Sequence, residues 1–270
     1  MNLEPFIRLG FFLGVLLLMG LWEVLAPRRP LLTSKKDRWF ANLSLAAIDT
    51  AALRLIFPVL ATGIALLAEE RKIGFLNSLD GPFWMKVTAG VFLLDLIIYL
   101  QHAVFHALPS FWRLHMMHHT DLDFDTTTGI RFHPLEIILS MAIKISAVLA
   151  LGVSYPAVVI FEVLLNATSL FNHGNVRLPA SLDRVLRLLV VTPEMHRVHH
   201  SVIIRETNSN FGFNFPWWDR LLGTYRAQPQ AGHEDMTIGL SHFRNPKELG
   251  LLQLLVLPFT RPPGKYPFAS

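Results

Sequence analysis

The sequence predicts an all-α fold, a polytopic bundle of membrane helices carrying a helical cap on its cytoplasmic side. Three observations lead there. The chain is 52% hydrophobic with a mean hydropathy of +0.41 and only 16% charged residues, against about 25% in soluble domains. Apolar runs recur at lengths that cross a bilayer. The histidines gather at the ends of those runs and between them instead of scattering.

The first run, Pro5 to Ala26, is long enough to span. It exceeds a signal-peptide core, and its positive cluster follows it, so it reads as a retained helix. The second covers Ala46 to Ala68, with Asp49 and Arg54 near its start, and the third runs from Phe83 to about Phe105. Leu135 to Gly152 and Pro156 to Asn172 form two shorter runs, joined by the turn-like Gly152-Val153-Ser154-Tyr155-Pro156. A weaker apolar stretch follows at Leu249 to Phe259 in an otherwise polar, proline-punctuated region. Nothing repeats internally. The expected organisation is N-terminal spans over 1–82, a catalytic stretch over 83–225 and a tail over 226–270.

Charge orients the bundle. Arg28, Arg29, Lys35, Lys36 and Arg38 follow the first span and place that loop in the cytoplasm. Counting spans from there puts His106 to His133, and everything after Asn172, on the cytoplasmic side. The net charge of +4 and pI near 9.6 come from basic residues that follow apolar spans. They form no basic-aromatic stripe, so nucleic acid is excluded as a partner. Cysteine is absent, which removes disulfides, thiolate metal sites and cysteine nucleophiles.

Among twelve histidines, nine form clusters on that one side. His102 and His106 are four apart at the end of the third span and share a helix face. His115, His118 and His119 form His-x-x-His-His, and His196, His199 and His200 repeat it about eighty residues later. His173 sits just past the fifth span; alone it would read as a hydrogen-bonded helix-end residue. Neutral imidazole binds iron, zinc and copper through one nitrogen per ring. A metal rarely takes more than six ligands, so nine rings suit two metals better than one. His233 and His242 lack ligand spacing and read as surface residues. Asp95, seven residues before His102, falls on nearly the same face, where it either orients a ligand ring or pairs between helices. Asp121 and Asp123 read as a solvated acidic loop. Asp125 and His133 are candidates to support the ligands.

These residues resemble the fatty acid hydroxylase/sterol desaturase superfamily of membrane di-iron oxygenases. The likeness runs from about Phe92 to Tyr225. It rests on Asp95 to His102, Arg113 to His119, Thr127 to Glu136, Phe171 to Asn175 and Thr192 to Ser201. Asn210-Phe211-Gly212 and Trp218 to Thr224 resemble its C-terminal signature. The resemblance implies two iron ions held by the nine histidines, O2 as co-substrate, no catalytic residue beyond the ligands, and a lipid substrate entering from the bilayer. Some members carry a further histidine where this chain has Ser169, which implies one ligand fewer at one metal, or a water or asparagine in its place. No glycine-rich dinucleotide loop follows a strand, so NAD and flavin are not expected on this chain. Electrons are then expected from an external donor such as a ferredoxin, cytochrome b5 or similar reductase. Hydroxylation of a fatty acyl, sterol or ether lipid is the expected activity, with desaturation on the same site as the alternative. A zinc hydrolase would want about three ligands and a carboxylate base, and a transporter would bind near the bilayer midplane, so both fit less well. The bacterial inner membrane is the expected location.

Overall fold

A computed structural model describes residues 4–268. Among the described residues, five stretches are long and apolar enough to cross a membrane. The first is α1 (Glu4–Leu25), whose 22 residues span about 33 Å. Phe6, Phe11, Leu17, Leu21 and Val24 point outward from it, an apolar outer face that lipid would cover.

The second stretch differs from the single run expected over Ala46 to Ala68. Helix α2 (Lys35–Ile56) starts eleven residues earlier, where Ser34 accepts a hydrogen bond from the Asp37 amide at 3.3 Å. It stops at Phe57, held extended by Pro58 after it, and α3 (Ala61–Glu70) resumes the path. The early start matters, because it places Arg38 and Asn42 inside the molecule.

After the short α4 (Phe75–Ser78) comes α5 (Phe83–Ala107). Leu108 and Pro109 end it and open α6 (Pro109–His119) at once, with proline in the first turn, where its missing N–H costs nothing. A 3-10 turn over Thr126–Ile130 leads to α7 (Pro134–Leu151) and α8 (Tyr155–Asn172). Gly152 ends α7 in the left-handed region at φ 67°. Gly74 approaches it so closely that a Cβ there would lie 2.1 Å from the Gly152 nitrogen, so this crossing needs glycine. The remaining helices are short: α9 (Ala180–Leu186), α10 (Pro193–His199), α11 (Ile204–Thr207), α12 (Trp217–Leu221), α13 (Gly232–Asp235) and α14 (Leu251–Thr260). Only isolated bridges, Pro27 with Val176 and Ser201 with Ile238, interrupt the helical pattern among the described residues.

One core fills the bundle, with Leu94, Ile98, Met141, Val148, Val158 and Phe161 packed between α5, α7 and α8. A second sits under the cap, where Trp112, Met116 and Met117 of α6 meet Leu45, Leu254 and Tyr266. The ends of the bundle are distinct. Glu69 accepts from the Tyr155 amide at 3.3 Å at one end. At the other, Glu23 accepts from the amides of Thr126 at 2.6 Å and Asn175 at 2.9 Å. All nine clustered histidines lie at this second end.

Candidate metal centre

Four elements deliver the nine imidazoles. Helix α5 supplies His102 and His106 from its last turns, and α6 supplies His115, His118 and His119. His173 caps α8. Thr192 accepts from the Met195 amide to start α10, which carries His196 and His199 and is capped by His200. Every ring is buried, none more than 4% exposed.

The rings form two groups, within each of which the ligand atoms lie no more than 4.8 Å apart. His102, His106, His115, His119 and His199 make one, and His118, His173, His196 and His200 make the other. Each His-x-x-His-His box therefore serves both groups. Adjacent residues on a helix point about 100° apart, so His118 and His119 diverge, as do His199 and His200. The four-member group is the one containing His173. Nearby, Ser169 donates to the Gly129 carbonyl at 2.7 Å.

Proton bookkeeping shows what these nitrogens lack. Six rings place Nδ1 against an oxygen acceptor: His102 on Phe211 O (2.8 Å), His106 on Asn208 Oδ1 (3.1 Å), His115 on Glu136 Oε1 (2.7 Å), His118 on Arg131 O (3.2 Å), His173 on Ser169 O (2.8 Å) and His199 on Ser209 O (2.7 Å). Nδ1 must donate in each, which leaves Nε2 of a neutral ring as a bare lone pair. Yet Nε2 of His102 faces Nε2 of His115 at 3.1 Å, and Nε2 of His118 faces that of His173 at 3.2 Å. Two lone pairs at that distance repel, and a shared cation reverses the sign. Nε2 of His106, His119 and His199, and both nitrogens of His200, are buried with no partner among the described residues. The donor set fits metal ions.

Burial also keeps the rings neutral, as ligation requires. It pushes His115 down to about 3 and His173 to about 4. It holds His118, His119, His196, His199 and His200 well below the ordinary histidine range, with neighbouring imidazoles adding to the effect.

The supporting residues are not those the sequence nominated. Asp95 accepts from Trp218 Nε1 at 2.8 Å and the Asn214 amide at 3.3 Å. It fixes the loop that follows His196, His199 and His200 and makes no hydrogen bond to a ligand ring among the described residues. Asp125 caps the 3-10 turn through the Thr127 amide and pairs with Arg38 at 2.6 Å. His133 caps α7 and turns Nε2 toward Leu255 O at 3.1 Å. The carboxylate that does reach a ligand is Glu136, on His115, in the first turn of α7. A histidine oriented by a carboxylate is a common arrangement at metal sites, and losing such a partner costs about 10–100-fold in metal affinity. Glu136→Gln is therefore expected to weaken metal retention about 10–100-fold in competition with a chelator while the helical content stays unchanged.

Asp121 and Asp123 are not solvated either. Arg38 grips Asp121 with Nε at 2.7 Å and Nη2 at 2.8 Å. Asp123 accepts from the amides of Leu32 and Thr33 at 2.9 and 2.8 Å. His233, expected at the surface, is buried with Nδ1 3.1 Å from Glu194 Oε2; His242 is exposed. The Asn210-Phe211-Gly212 loop positions His102 through Phe211 O. Asp219 accepts from the Phe211 and Gly212 amides at 2.8 Å each. Asn210 itself holds a positive φ of 53°, kept there by hydrogen bonds to Met195 O, Arg226 O and Arg226 N.

A cavity of about 720 Å³ opens onto His102 and His115 and extends up the bundle between α1, α2, α5, α7 and α8.

The family model described as fatty acid hydroxylase matches residues 87–224, just over half the chain. The chain is similar to the ornithine lipid hydroxylase of Rhizobium tropici, 26% identical over 256 residues, which cover 93% of this chain and 75% of that protein. It is also similar to the human alkylglycerol monooxygenase, 26% identical over 169 residues (60% of this chain and 34% of that protein). A fatty acid hydroxylase of Lecanicillium sp is 25% identical over 181 residues (62% of this chain and 49% of that protein). No solved structure matches the chain at comparable significance.

Proposed function

We propose a function on one premise: this chain belongs to the fatty acid hydroxylase family. It is a membrane lipid hydroxylase that carries two iron ions, one in each histidine group, and takes O2 and two electrons from an external donor. The relatives act, by their names, on ornithine lipids, alkylglycerols and fatty acids, and a lipid substrate is carried over from them. The balanced reaction converts R–H, O2, two electrons and two protons to R–OH and water.

The observation that carries this reading is the cavity between membrane helices that ends on His102 and His115. A lipid can reach it without leaving the bilayer, and only the ligand end meets the cap. Nine neutral nitrogens and no thiolate favour a redox metal over structural zinc, since five donors in one group exceed the four of a closed tetrahedral site. Iron, when bound, supplies the oxygen activation. The chain's own part is to hold nine imidazoles neutral, aim Nε2 of six of them inward through Nδ1 anchors, and bury the centre from water. The cap that carries the centre lies on the cytoplasmic side, where the electron donor docks.

The test is purified protein in lipid nanodiscs, with metal analysis and mass spectrometry of the lipids after incubation with O2 and a reductant. About two irons per chain, and a lipid gaining one oxygen atom that derives from labelled O2, are expected. Two zinc ions per chain with no oxygen uptake would overturn the reading.

A further inference from the structure

The cavity is not uniformly apolar, and its two polar regions differ in balance. Far from the histidines, Arg8 pairs with Glu4 at 2.9 Å and with Glu162 at 2.8 Å, and Lys144 pairs with Glu162 at 2.9 Å. Two cations there meet two anions. At the histidine end the wall carries Gln101 of α5, next to His102, and Glu136 of α7, on His115, with Asp49 of α2 close enough to Glu136 for their charges to interact. Asp49 Oδ1, Gln101 Oε1 and Glu136 Oε2 are all buried without a hydrogen-bond donor among the described residues.

The other polar atoms of Gln101 and Glu136 are anchored, which leaves these oxygens as the free ends. Gln101 Nε2 donates to Ser140 at 3.0 Å, and Ser140 stands one turn after Glu136 on α7. Glu136 Oε1 takes the His115 proton. Asp49 is 7% exposed, lies within a membrane-spanning stretch and makes no ion pair among the described residues. Arg54, also on the wall, is exposed and pairs with neither acid. Inside a bilayer no bulk water supplies the missing donors, and ionisable groups left there mark binding sites. Three acceptors, two of them from acidic side chains, to which none of the cations on the cavity wall is paired among the described residues, call for a cationic donor.

We propose that Asp49, Gln101 and Glu136 form a subsite for the primary ammonium group of a lipid head, seated beside the histidine centre. Resting on the lipid hydroxylase reading, it fixes where oxygen enters. The head lies against His102 and His115, so the oxidised C–H bonds are those of head-group carbons near the nitrogen, and acyl carbons lie farther off.

Two measurements keep this subsite and that reading separable. In detergent, dodecylamine is expected to bind the metal-loaded wild-type protein at least about ten-fold more tightly than dodecanol. Asp49→Asn is expected to erase the difference while metal content stays at the wild-type level. Gln101→Leu, a second variant in case the first folds poorly, is expected to reduce it several-fold. In nanodiscs, an aminolipid is expected to gain oxygen in its head-group fragment, at least ten times faster than its N-acetylated counterpart. If the amine and the alcohol bind alike to the wild-type protein, or the oxygen lies in an acyl chain, the subsite is wrong even where hydroxylation occurs. If the amine preference depends on Asp49 but no lipid gains oxygen, the subsite stands and the hydroxylase reading falls.

Discussion

Replacing His118 and His199 together with alanine is expected to abolish lipid oxidation and to leave less than one tightly held metal ion per chain. The pair removes one imidazole from each group. Both rings are anchored through Nδ1, His118 on Arg131 O and His199 on Ser209 O, so each presents a fixed Nε2. Losing a residue that only orients a ligand costs about 10–100-fold in affinity, and losing the ligand itself costs more. Metal analysis after dialysis against a chelator reads the effect directly. His242→Ala is the control: that ring is exposed, and its removal is expected to change neither metal content nor turnover. Full metal retention by the double variant would show that the two groups are not the binding sites.

The largest expected effect on stability lies one layer out. Arg38 is buried beneath the cap and grips Asp121 with two nitrogens and Asp125 with a third. Arg38→Ala would leave both carboxylates buried without their main partner, and breaking a buried pair costs about 3–5 kcal/mol. Thermal unfolding in nanodiscs measures the loss. The pH dependence carries a signature too. Burial alone would raise the Asp121 carboxyl, but Arg38 and Arg131 overcome it and hold it at about 2, below its ordinary 3.8. A depressed folded-state value stabilises the fold above about pH 3.8 and loses that contribution as the pH falls toward 2. Without Arg38 burial meets weaker opposition, so the folded value moves back toward 3.8 and this acid-dependent part of the stability is expected to shrink.

Much of this architecture was legible in the sequence because its signals are local. An apolar run of bilayer length needs no partner to be recognised, and histidines at i and i+4 share a face on any helix. The division of nine rings into five and four was not legible, because it depends on how α6 and α10 are rotated about their axes. Arg38 read as loop charge, since its partners Asp121 and Asp125 lie 83 and 87 residues away. Glu136 lay within the family-like segment, but nothing local separated its role from that of His133, which caps a helix. Asp95 sits on the predicted face and serves the chain that follows His200, through contacts 119 and 123 residues distant. The second span departs from the expected run at its start and in its continuity. Polar Arg38 and Asn42 masked its start, and apolar residues on both sides of Pro58 hid its interruption.

Helices α6 and α10 each feed both histidine groups, and this sharing has a consequence for assembly. Two ions seated there would act as rivets through the same pair of plates. Withdrawing one would free a helix that also aligns donors for the other, so a half-loaded chain would hold its remaining ion more weakly than the full one. Filling is then expected to proceed in a single steep step, with empty and complete molecules side by side and few between.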